Sequence, residues 1–184
     1  LTRTTLFSAL LAAALAWSLE GTAHAFERQW HFGLGAGAAA ANGYRVGPAL
    51  NAYAAYGLSD VFDLRAELLG SRQFVTPVAV QGETPSLFQR AEPSLFYGGK
   101  LALSYKVDVI QWIPYAALAA GYLGVTEPLA PYAKGQPSLG IIAGLDYAAT
   151  RNLGFGGALH YDYVFHPGAA YAALLFRAEY RFGF

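Results

Sequence analysis

One stretch near the C-terminus alternates so strictly that a single backbone conformation fits it. Leu174, Phe176, Ala178, Tyr180, Phe182 and Phe184 alternate with Leu175, Arg177, Glu179, Arg181 and Gly183. An extended strand sends successive side chains to opposite faces, so the apolar set shares one side and the charges the other, whereas a helix would mix them. The pattern recurs at Phe62, Leu64, Ala66 and Leu68 against Asp63, Arg65 and Glu67. It recurs again at Tyr97, Leu101, Leu103, Tyr105 and Val107 against Lys100, Ser104 and Lys106. Fainter versions, diluted by Gly and Ala, cover residues 30–40, 50–58, 112–123, 139–147 and 153–165, which makes eight predicted strands. The run 116–120 has the composition of a helix, but it is short and sits beside Gly, Tyr and Pro.

Segments of about 9 to 11 tilted residues are long enough to cross a bilayer as strands. Hydrophobic residues make up 55% of the 184-residue chain, yet past residue 25 no apolar run approaches the ~18 residues that a membrane helix needs. A sheet satisfies its backbone in lipid only when it closes on itself, so an even strand count matters. Inward glycines at Gly33, Gly35, Gly37, Gly140, Gly144, Gly154 and Gly156 suit a narrow barrel. Short hairpin-type turns at 57–61, 107–111 and 149–152 face connections at 41–47, 72–93, 124–137 and 166–170, two of them long, as in barrels with short periplasmic turns and longer external loops. Trp30, Tyr56, Tyr97, Tyr105, Trp112, Tyr122 and Tyr161, with Tyr132 and Tyr180, stand near strand ends, where an aromatic girdle meets the two interfaces.

Arg3, the apolar run 6–19 and Ala23-His24-Ala25 have the order of a secretory signal, which predicts a signal peptide over 1–25 and a mature domain over 26–184. Lys+Arg and Asp+Glu balance at 12 each with no basic run, so nucleic acid is not an expected partner. There is no Cys, which excludes disulfides and thiolate chemistry.

The chain resembles small eight-stranded bacterial outer-membrane barrels of the OmpA and OmpX kind over residues 26–184. The resemblance rests on the terminal strand with Tyr180, Phe182 and Phe184 at alternate positions, and on the second-to-third-strand turn at 56–68 (YGLSDVFDLRAEL). It implies an all-β fold, a closed antiparallel up-and-down transmembrane β-barrel of about eight strands in the cell outer membrane. It also implies that Tyr180, Phe182 and Phe184 form the signal read by the barrel-assembly machinery, and that the partners are that machinery and outer-membrane lipid. No wall-anchoring role is implied.

An eight-stranded interior is just filled by side chains. The expected interior network comprises Asp63, Arg65, Glu67, Lys100, Lys106, Asp146, His160, Asp162, Arg177, Glu179 and Arg181, and charges of both signs shielded from water should pair. The reading is therefore a structural or interaction protein, not an enzyme, without a cofactor, whose loops are its contact surface toward an unidentified partner. Three alternatives stay open: a lipid-modifying outer-membrane enzyme, a small pore, and a soluble lipocalin-like barrel with the apolar face turned inward. In the 26–184 domain the available imidazoles are His31, His160 and His166. His160 and Asp162 share a face and, with Asp146, form a weak metal pattern. Gly33, Gly35 and Gly37 lack the spacing of a nucleotide loop. Phe74, Val75, Val78, Val80, Leu87 and Phe88 make the 74–93 connection a candidate adhesive surface or a cover for the barrel mouth.

Overall fold

The structure, a computed structural model, describes residues 28–75, 93–107, 109, 111–126, 135–165 and 168–183. The signal segment, Tyr132, His166, Phe184 and the apolar residues Val78, Val80, Leu87 and Phe88 lie outside the described residues.

Period-two patterning becomes eight long strands and one short one: β1 (Trp30–Ala41), β2 (Tyr44–Arg45), β3 (Gly47–Gly57), β4 (Phe62–Val75), β5 (Pro93–Lys106), β6 (Trp112–Val125), β7 (Gln136–Ala148), β8 (Leu153–Val164) and β9 (Ala169–Phe182). Each long strand pairs antiparallel with the next long one, and β1 pairs with β9 from Trp30 opposite Phe182 to Ala41 opposite Tyr171, which closes the sheet into an eight-stranded barrel. The alanine-rich run 116–120 is strand, held between β5 and β7. Ladder hydrogen bonds on both sides override its helical propensity.

The faces are those of a membrane barrel, opposite to a lipocalin. Leu34, Leu68, Leu118 and Phe176 are 68–73% exposed, whereas Arg65 and His160 are fully buried. An apolar exterior around a charged interior, with no free sheet edge, matches the bilayer as solvent. Barrels of this build are the membrane-spanning proteins of the bacterial outer membrane.

Turn chemistry sets the hairpins at one end. The Ser59 hydroxyl accepts from the backbone N–H of Phe62 at 3.1 Å, and Thr150 Oγ1 accepts from Leu153 N–H at 3.0 Å. At the other end the strands run past the predicted limits. Residues 72–75 continue β4, Pro93 opens β5, Gly124 and Val125 end β6, Gln136 opens β7, and β9 begins at Ala169. Sequence patterning places these in loops because their outward side chains are no longer uniformly apolar. Gln73, Val125 and Ala169 still turn inward and are buried, and this keeps the ladder going. The pairing of Tyr44–Arg45 with Val75–Phe74 is one residue out of step with that of β3, which leaves Val46 as a β-bulge. Gly47 follows because a Cβ there would collide with the Arg72 carbonyl.

Candidate functional site

Among the described residues, most of the charge is gathered in the barrel interior. All eleven predicted interior residues are buried, and they form several clusters. At the short-turn end Lys106 Nζ lies 2.5 Å from Asp63 Oδ2. Beside them Glu179 collects three partners: Tyr53 donates to Oε2 at 2.8 Å, Arg181 Nε donates to Oε1 at 2.8 Å, and His31 Nδ1 stands 3.1 Å from Oε1. Each ion thus has a counter-ion or several donors, which offsets the desolvation a buried charge suffers.

Further along, Arg177 Nε donates to Asp146 Oδ1 at 2.8 Å, and its Nη2 donates to Oδ2, a two-pronged match that only a guanidinium makes. The Arg177 guanidinium also stacks on Tyr115 at 4.2 Å and Tyr53 at 5.1 Å. Arg65 lies on the same two rings, 4.4 Å from Tyr53 and 5.1 Å from Tyr115. No hydrogen-bond acceptor lines up with its Nε, Nη1 or Nη2 among the described residues, so ring faces supply what a carboxylate does elsewhere. Both tyrosines lie over glycine, Tyr53 on Gly33 and Tyr115 on Gly144.

A third cluster centres on His160. Its Nδ1 is 3.1 Å from Lys100 Nζ and 3.3 Å from Glu67 Oε1, so it can accept from the lysine or, in the other tautomer, donate to the carboxylate. Lys100 also donates to Asp162 Oδ2 at 3.0 Å, and Asn51 Nδ2 donates to Glu67 Oε1 at 3.1 Å. Asp146 is held by Arg177 rather than brought to His160 and Asp162, so the weak metal pattern is not assembled. Among the described residues no group of three metal-ligating side chains occurs.

Toward the long-connection end the interior becomes mainly apolar, with Ser71, Gln73, Ser94 and Ser138 the polar side chains buried there. Tyr44, Leu69, Phe96, Leu123, Val125, Val164, Tyr171 and Leu175 pack as one cluster across the mouth. Sequence reading missed this plug, and it missed the interior places of His31, Asn51, Tyr53 and Tyr115. Parity was the available signal, since Tyr171, Ala173 and Leu175 step by two into Arg177 and Glu179.

The glycine seats under the tyrosines give a first prediction. Gly144→Ala puts a Cβ into the Tyr115 ring, and overpacking of this kind costs about 1–3 kcal/mol. Gly99→Ala, whose Cβ would meet Leu68 at an ordinary 3.5 Å, should be tolerated. Urea midpoints of the two variants refolded in lipid vesicles compare them directly, and equal midpoints would contradict the seat.

The girdle residues within the described segments lie on the outward face in two belts. At the short-turn end Trp30 meets Tyr56 at 5.0 Å, Phe62 meets Tyr105 at 5.3 Å, and Trp112 meets Tyr147 at 5.0 Å. Tyr180 and Phe182 join this belt from β9, and Phe182 stacks on Phe32 at 5.3 Å. Tyr97, Tyr122 and Tyr161 stand exposed toward the opposite end.

No family model and no curated protein matches the sequence. Solved structures do match in shape. Neisserial surface protein A aligns at TM-score 0.59 and 19% identity over 83% of this chain and 97% of its own. Ail, the attachment invasion locus protein of Yersinia pestis, aligns at TM-score 0.56 and 13% identity over 85% and 100%. The N-terminal barrel domain of Pseudomonas aeruginosa OprF aligns at 0.54 and 14% over 85% and 98%. At such identities the likeness speaks for the fold, and it agrees with the closure, the outward apolar face and the buried charges. By fold, the chain is a small eight-stranded outer-membrane β-barrel.

Proposed function

We propose that this protein is a non-conducting outer-membrane anchor whose external connections form its contact surface. The observation that carries this reading is the filled interior: paired charges from the short-turn end through the middle, then an apolar plug across the mouth. In this reading such a filling closes the aqueous path, and the charge clusters are engaged with one another rather than aimed at a substrate. Function then falls to the connections at the plugged end, where loops on a rigid scaffold are free to vary. Ail, a barrel of similar shape, is named for attachment and invasion, and one of its structures holds a heparin analogue, sucrose octasulfate. That precedent supports a contact role for a barrel of this size.

In this reading Tyr180, Phe182 and Phe184 are presented to the barrel-assembly machinery, and the two aromatic belts fix the depth of the barrel in lipid. The test is fractionation of cells expressing the full chain, gel migration with and without boiling, and solute uptake into vesicles carrying the refolded protein. An outer-membrane band that shifts on boiling, together with vesicles impermeable to small sugars, is the expected result. A soluble band without a shift would overturn the anchor, and sugar uptake would overturn the closed interior.

A further inference from the structure

The outward face of β2, β3 and β4 near the long-connection end carries two features that belong together. Arg45 and Arg72 are both exposed there, and among the described residues neither is paired with a carboxylate. Arg72 lies against the Phe74 ring at 5.9 Å. The bulge at Val46 brings Arg45 to the Phe74 position of β4, one outward step from Arg72. Directly below, two residues down β4, Gly70 opens a notch lined by Leu34, Leu50, Ala52 and Leu68, a groove of about 410 Å³. It shares Leu34, Ala52 and Leu68 with a larger apolar concavity of about 1060 Å³ that continues down the wall. The larger concavity is lined by the small residues Ala52, Ala54 and Ala66, set between large neighbours such as Leu34 and Leu68.

Two permanently charged guanidinium groups above an apolar trough are complementary to an amphiphile with an anionic head and a long tail. Planar guanidinium forks match phosphate oxygens in two-pronged fashion, and the pair stands at the external end, where headgroups of the outer leaflet lie. We propose that this face holds one phosphorylated glycolipid of the lipid A class, its phosphate on Arg45 and Arg72 and one acyl chain in the groove beneath. The inference rests on the reading that the chain spans the outer membrane with its long connections outside.

The test uses the full chain refolded in zwitterionic micelles and titrated with bis-phosphorylated lipid A or its dephosphorylated form, with bound lipid counted by native mass spectrometry. The expected result is at least about tenfold tighter retention of the phosphorylated form. Arg45→Ser with Arg72→Ser should erase that preference. Gly70→Leu should weaken both forms by filling the trough, since a Cβ there meets nothing nearer than the Phe96 carbonyl at 4.0 Å. Equal retention of the two forms by the parent chain, or a preference that survives the double arginine change, overturns the proposal. Displacement of bound lipid A by millimolar inorganic phosphate also overturns it, because the site would then be an anion site without a tail. The same samples run unboiled and boiled separate the causes. A barrel that shifts normally but shows no preference condemns this inference alone, whereas a chain that never shifts takes the membrane reading down with it.

Discussion

Arg177→Met should lower the unfolding free energy by about 3–5 kcal/mol, the cost of removing one partner from a buried ion pair. Asp146 keeps no other cation at hydrogen-bond distance among the described residues once the two N–H donors of Arg177 are gone. The carboxylate is buried on β7 against Gly156, too enclosed for water to replace the guanidinium easily. The tyrosine rings also lose a cation, and relief of repulsion from Arg65, which shares those rings, offsets part of the loss. The double change Arg177→Met with Asp146→Asn removes the stranded charge and should recover more than half of the deficit. Equilibrium urea unfolding in vesicles reads both values. An unchanged midpoint for the single variant would show that the pair is solvated and the interior wet.

The second large effect lies on the opposite face. Phe176 is 73% exposed and sits midway along β9, opposite Ala36 on β1 and Gly157 on β8. An arginine at the bilayer midplane of a barrel costs about 2–4 kcal/mol, and the penalty falls to about 0–1 near the interface. Phe176→Arg should therefore lose most of that range. Leu64→Arg, one outward position from the belt residue Phe62, should lose less. The gradient between them is the diagnostic quantity. If both variants unfold at the parent midpoint in vesicles, the exterior is not in lipid.

How far the sequence disclosed this molecule depends on what each feature needs. Strand identity and the inward or outward sense of each residue need only parity, so Arg65, Glu67, Arg177 and Glu179 could be placed on the inner face from local pattern alone. Partner choice needs stagger, and no local pattern carries it. His31 reaches Glu179 across 148 residues of chain, and Lys100 reaches Asp162 across 62. Strand ends were hidden for another reason. Past the apolar belt the outward residues of β4 turn polar at Arg72, so the alternation that marked the strand dissolves while the ladder and the inward residues Ser71 and Gln73 continue. The plug is not legible in local pattern because Phe96 and Leu175 are apolar on a face otherwise recognised by its charges.

The closing ladder has a kinetic meaning. Seven of the eight long ladders join strands that follow one another along the chain, and each can zip as a hairpin from its own turn. The β1–β9 ladder is different, because it fastens the two ends of the whole sheet and carries the His31–Glu179 contact across the fastening. Its loop-closure entropy is of a kind that local hairpins do not meet, and no backbone group at that edge is satisfied until the last strand arrives. Assembly is thus staged, with a curling open ribbon first and one stitch that completes the ring. Until that stitch is made, the edge of β1 is an adhesive template, able to accept a strand from whatever chain or catalyst presents one.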